Sequence, residues 1–294
     1  MKRLMIAGIA GLCAAVTFGI ESANIVGYMN SEDTVGKKYA PVGAMFMTVG
    51  GDATWRLGDI KPAEGTVNYQ SEYLQEFDPS TGAIGTKYCY VDATSAAKPP
   101  FMMWPAADKA NAVGWWVKPA TGFSPMGPGA EKKADNVTFK AGQGLYSNFG
   151  GAKAKLNFSG QVVCEEYQVD LVGKKYAPII NFLARPITLG EIVPEEGTLN
   201  YQSEYIQEFD PSTGAIGTKY CYVDAASAAK PPFMMWPAAD KANAVGWWIK
   251  PAGGFTPMGP GAEKKADDVV IQPGAGFYSN FGGAKAKLNF PSAL

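Results

Sequence analysis

The chain has 294 residues, with 26 Lys and Arg against 27 Asp and Glu, a formal net charge of −1 and no histidine. Such a balance offers nucleic acid or an anionic membrane nothing to hold. The lack of histidine excludes Ser-His-Asp and Cys-His catalysis and every imidazole-dependent metal site, so neither an enzyme nor a cofactor is expected.

In chain order, Met1-Lys2-Arg3 followed by an apolar stretch from Leu4 to Phe18 has the charge-then-apolar order of a secretory signal peptide. The stretch is shorter than the roughly 20 apolar residues of a membrane span. Thr17 and Gly19 suit the positions before a cut, which makes 1–19 the leader and Ile20 the new N-terminus. Leu12 stands where lipoprotein processing at Cys13 wants a small residue, which argues against lipidation. The expected address is the cell envelope or the outside of the cell, with no transmembrane anchor after cleavage.

Strands are expected at Asn24 to Tyr28, Tyr39 to Val49 and Val67 to Phe77. In the last, Val67, Tyr69, Tyr73 and Phe77 share a face opposite Asn68, Gln70, Glu72 and Glu76, although Tyr69, Tyr73 and Phe77 also suit a helix. Asp78-Pro79-Ser80-Thr81-Gly82 reads as a turn, returning into a strand from Ile84 to Val91. Within that strand Cys89 lies on the face opposite Tyr88 and Tyr90, and a buried free thiol is favoured over a bridge to its counterpart Cys221. Only Ala106 to Ala112 looks helical. Further strands are expected at Gly114 to Lys118, Val137 to Lys140, Gly144 to Asn148 and Ala152 to Phe158, the last with strict apolar–polar alternation.

Thr66–Phe158 recurs as Thr198–Phe290 at an offset of 132, without a gap and with 13 differences in 93 positions. Val35–Pro41 likewise recurs as Val172–Pro178 at an offset of 137. This pattern reads as an internal duplication, with the boundary at Phe158/Ser159. Two tandem all-β domains, 20–158 and 159–294, are therefore expected, each a β-sandwich or open barrel able to bury its own core.

The opening Ile20-Glu21-Ser22-Ala23-Asn24-Ile25-Val26-Gly27-Tyr28 resembles that of uncharacterised secreted bacterial proteins of the verrucomicrobial type. Leu57-Gly58-Asp59-Ile60 and Gly142-Gln143-Gly144-Leu145-Tyr146 are also similar to that group. The second copy departs from the opening motif with Ser159-Gly160-Gln161-Val162-Val163. The resemblance implies a small β domain and export, and it assigns no site residues.

Glu72, Glu76 and Asp78, with Glu204, Glu208 and Asp210, are the one carboxylate grouping that suggests glycosidase chemistry, and they read instead as solvated charge beside a turn. The tryptophans are the candidate ligand-binding residues: Trp104, Trp115 and Trp116, matched by Trp236, Trp247 and Trp248, with Trp55 unpaired. Neighbours on a strand face opposite ways, so one of each adjacent pair is core. The other either lies under a loop such as Pro99-Pro100-Phe101, meets a protein, or stacks on a sugar. The expected function is non-catalytic surface contact, structural or adhesive, with a tandem carbohydrate-binding module as the alternative. The partner is a cell-surface or extracellular protein or glycan, a second copy of the chain among them, and not nucleic acid.

Overall fold

The structure, a computed structural model, describes residues 26–30, 40–44, 46–48, 54–78, 81–149, 154–163, 166–172, 175–210, 213–261, 263–281 and 285–292. The expected signal peptide, the start of the strand expected from Asn24, and Cys164 lie outside them. The chain is predominantly β, with several antiparallel sheets and few, short helices.

The first half supplies β1 (Val26–Asn30), β2 (Ala40–Val42), β3 (Phe46–Met47), β4 (Thr54–Arg56), β5 (Ile60–Pro62), β6 (Tyr73–Phe77), β7 (Ile84–Val91), β8 (Gly114–Val117), β9 (Thr138–Lys140), β10 (Leu145–Asn148) and β11 (Leu156–Val162). The second supplies β12 (Tyr167–Val172), β13 (Lys175–Ile180), β14 (Ile187–Thr188), β15 (Val193–Pro194), β16 (Tyr205–Phe209), β17 (Ile216–Val223), β18 (Gly246–Ile249), β19 (Val270–Ile271), β20 (Gly276–Asn280) and β21 (Lys285–Phe290). Helices α1 (Ala93–Ala96) and α2 (Ala106–Ala110) recur as α3 (Ala225–Ala228) and α4 (Ala238–Ala242).

A five-stranded sheet in the order β2-β10-β6-β7-β8 has its counterpart in β13-β20-β16-β17-β18. A second sheet, β1-β11-β3 with β5 also on β11, corresponds to β12-β21-β15. The β6–β7 hairpin forms where the turn chemistry demands it. Asp78 accepts from the Thr81 hydroxyl at 2.6 Å, and Gly82 supplies a φ of +68°.

Three expectations change. The stretch 67–72 is a turn, not a strand, because its polar groups are satisfied locally: Glu72 Oε2 accepts from Asn68 N at 2.6 Å and Asn68 Oδ1 from Gln70 N at 3.0 Å. Glu72 and Glu204 are therefore buried rather than solvated, while Glu76 is half-buried and accepts from the Tyr88 hydroxyl at 3.3 Å. Helix α1 and the single turns Leu57–Asp59 and Phe101–Met103 add to the one helix expected. The run expected from Tyr39 to Val49 is split into β2 and β3.

The boundary at Phe158/Ser159 falls inside β11, where Phe158 pairs with Met29 and Ser159 with Tyr28. The main core is also continuous through the molecule. Leu74, Leu145 and Phe158 belong to the same buried cluster as Ile179, Ile206 and Phe290. Each half thus borrows part of its core from the other.

Candidate functional site

Strand β8 carries the adjacent tryptophans and lies beside β7, with Tyr90 opposite Trp115 and Cys89 opposite Trp116. Its entry needs glycine: at Gly114, φ is +127° and a Cβ would fall within 2.8 Å of the Lys133 ammonium and the Asp135 carboxylate. Trp115 points into the main core, its ring 5.2 Å from that of Tyr90 and its indole N–H donating to Ile60 O at 2.7 Å. Trp116 points the other way into a second cluster with Tyr69, Cys89, Val91, Ala96, Phe101, Trp104 and Ala112.

The second cluster exists because residues 93–112 fold over the outer face of β7 and β8. Asp92 anchors this cover by accepting from Ser95 N at 2.7 Å and Gly65 N at 2.9 Å. Burial pushes the Asp92 carboxyl up, but the hydrogen bonds from Ser95 and Gly65 outweigh it and hold its pKa below the ordinary value. Fully buried Phe101 then packs edge-on against Trp104, with ring centres 5.0 Å apart, and Trp104 against Trp116 at 5.6 Å. The indole donors of this cluster are used internally, Trp104 on Ser124 O at 2.6 Å and Trp116 on Ala112 O at 2.8 Å.

The second half repeats the arrangement. Trp247 donates to Ile192 O, Trp248 to Ala244 O and Trp236 to Thr256 O, at 2.8, 2.8 and 2.6 Å. All six candidate tryptophans are buried, and so is Trp55. Of the readings left open by the sequence, the structure selects the covering loop: no tryptophan of either adjacent pair reaches the surface to stack on a ligand. Cys89 and Cys221 are free and fully buried, and burial raises both thiols to about 11, which makes them poor nucleophiles.

Two surface features lie beside these clusters. A cleft of about 340 Å³ is lined by Tyr69, Gln70, Lys118, Pro119, Gly122 and Phe123. Lys118 closes its floor by donating to Tyr69 O at 2.9 Å and Gln70 O at 2.5 Å, and burial draws its pKa down. The second feature is apolar. Met102, Met103 and Met126 project from the cover and the loop that follows β8, and Met234, Met235 and Met258 project from the equivalent places, with Met126 and Met258 about 85% exposed.

The sequence pattern singles out the tryptophans and passes over these methionines. The available signal was the single turn Phe101–Met103, which turns one of three apolar residues inward and leaves two outside. Among the described residues no group of three or more His, Cys, Asp or Glu is placed to hold a metal, and no helix is long and apolar enough to cross a membrane. No family model, curated protein or solved structure matches the chain.

Proposed function

We propose that the chain is an exported, non-catalytic component of the cell envelope or extracellular space, made of two tandem β-sandwich units that arose by internal duplication and acting through surface contact. The observation that carries this reading is the repeated methionine surface. Each half presents three exposed thioether side chains at matching positions, while its tryptophan rings are committed to the interior. Methionine is flexible and polarisable, so such a surface adapts to apolar partners of varied shape. Two copies held in one body raise retention on a repetitive surface well above that of either alone.

The charge-then-apolar order of residues 1–19 and the motif Ser22–Tyr28 support export. The test is retention of the purified mature chain on whole cells or on itself, followed by sedimentation. Replacing Met102, Met103, Met234 and Met235 with glutamate is expected to abolish retention while circular dichroism stays unchanged. Undiminished retention rejects the reading. A carbohydrate-binding module remains the second reading, favoured by the cleft that joins Gln70 and Lys118 to the Phe123 ring. Glycan-array binding lost on Gln70→Ala, with retention unaffected by the methionine changes, favours it.

A further inference from the structure

The two halves meet across a face whose central positions correspond. In the first half Pro41 and Gly43 on the β2 side lie beside Gly144 and Tyr146 on the β10 side; in the second, Pro178 and Ile180 on β13 lie beside Gly276 and Tyr278 on β20. The contacts are reciprocal. A Cβ added at Gly144 would lie 2.9 Å from Pro178 Cβ, and one added at Gly276 would lie 2.5 Å from Pro41 Cβ. Equivalent residues also meet each other: the Tyr146 and Tyr278 rings are 6.5 Å apart, and Ile180 reaches the place where Gly43 has no side chain. Such a pattern is that of a twofold axis relating the halves, as in an isologous dimer.

At the centre of this face four positions correspond, and three carry the same residue in both halves: proline, glycine and tyrosine. The fourth, at the axis, is Gly43 in one and Ile180 in the other. To one side Gln143, whose counterpart is Ala275, bridges to Ile179, and a Cβ at Gly142 would lie 2.5 Å from Val169. Ile180 is fully buried and sits in a hole bounded by Gly43, Gly144 and Gly276, where added Cβ atoms would come within 3.0, 3.2 and 2.9 Å of its side chain. Pairing two second halves would bring two isoleucines to a position with room for one. Pairing two first halves would leave that hole empty. Both costs fall on like pairs alone, which is how a small–large mismatch sets partner choice.

We infer that this face is a knob-into-hole lock, whose knob is Ile180 and whose hole is floored by Gly43, so that each half accepts the unlike half and rejects a copy of itself. The partner it fits is the other half, in the same chain or in a second copy of the chain. Assembly between chains through this face then runs only from the first half of one to the second half of the next.

The experiment uses the full chain with a protease site inserted between Val163 and Glu166, which leaves β11 whole. After cleavage, isotopically light and heavy preparations are mixed and followed by native mass spectrometry. The halves are expected to stay together and to exchange into unlike pairs only. Separation of the halves at micromolar concentration, or a statistical mixture of like and unlike pairs, overturns the proposal. Gly43→Ile is expected to weaken the association by about tenfold or more, and adding Ile180→Gly in the same chain to recover most of it. If the double variant is no better than Gly43→Ile alone, the lock is not at this pair.

Discussion

Two regions of the repeat have fared differently. From Thr66 to Asp135 the halves differ at six positions, the aromatic cluster is unchanged and its cover differs only at exposed Thr94, which is Ala226 in the second half; from 136 to 145 they differ at seven of ten. In the cluster every ring touches another and every indole donor has an acceptor, so no single change is neutral. The variable segment holds β9 and the approach to β10, and its partners differ between the halves. On β9, Phe139 packs with its ring 4.5 Å from that of Trp55 of β4, the two tilted by 32°, whereas at the equivalent place Ile271 of β19 pairs with Ile187 of β14. An aromatic pair in one half stands where the other has an aliphatic pair. Sequence identity is highest where packing is shared by both halves and lowest where each half has its own neighbours.

The largest expected break in this comparison comes from the buried indoles. Trp115→Ala and Trp247→Ala should each cost about 3–5 kcal/mol in urea unfolding, equally in the two halves, because each removes a fully buried ring and strands a backbone acceptor. A loss below about 1 kcal/mol in either would show that its half is not packed as described.

A smaller effect sharpens the variable region. Trp55→Ile alone leaves a hole beside Phe139 and should cost about 2–4 kcal/mol, although it also removes a buried indole N–H that finds no acceptor. Adding Phe139→Ile, which reproduces the pair of the second half, should cost less than the sum of the two single changes. Strict additivity in thermal unfolding would deny that the two positions vary together.

Smaller still is the alkaline effect of the thiols beneath the covers. Cys89 and Cys221 are raised by burial from an ordinary 9 to about 11, and Tyr88 from 10 to about 12. The folded state therefore holds protons that the unfolded state has already released. Stability should be level up to about pH 9 and fall as the pH rises toward 11, further toward 12. Stability rising through that window would contradict the burial of these groups. Alkylation mapped by peptide mass should likewise spare Cys89 and Cys221 until the chain is denatured.

Much of the fold was legible in the residues. Alternation and turn chemistry found the β6–β7 hairpin and the strands around Trp115 and Leu145, because those segments obey local rules. The cover 93–112 was not, since its only helical signal was the short run that became α2. Its order comes from Phe101 and Trp104 packing onto a sheet formed elsewhere. The burial of Glu72 was equally hidden, because period-two reasoning does not see a side chain hydrogen-bonding the backbone four residues earlier. At the candidate site the sequence singles out the tryptophans and leaves their exposure open. That exposure is decided by Phe101 and Phe123, which reach the cluster from the cover and from the loop after β8.

The central claim is that the protein makes contact through the methionines and not through the rings beneath them. Methionine oxidation by dilute peroxide, read by peptide mass with the chain free and then engaged on its target surface, tests this directly. The account predicts that Met102, Met103, Met126, Met234, Met235 and Met258 oxidise readily in the free chain and are protected together on engagement. Unchanged oxidation of all six while engagement is complete would contradict it.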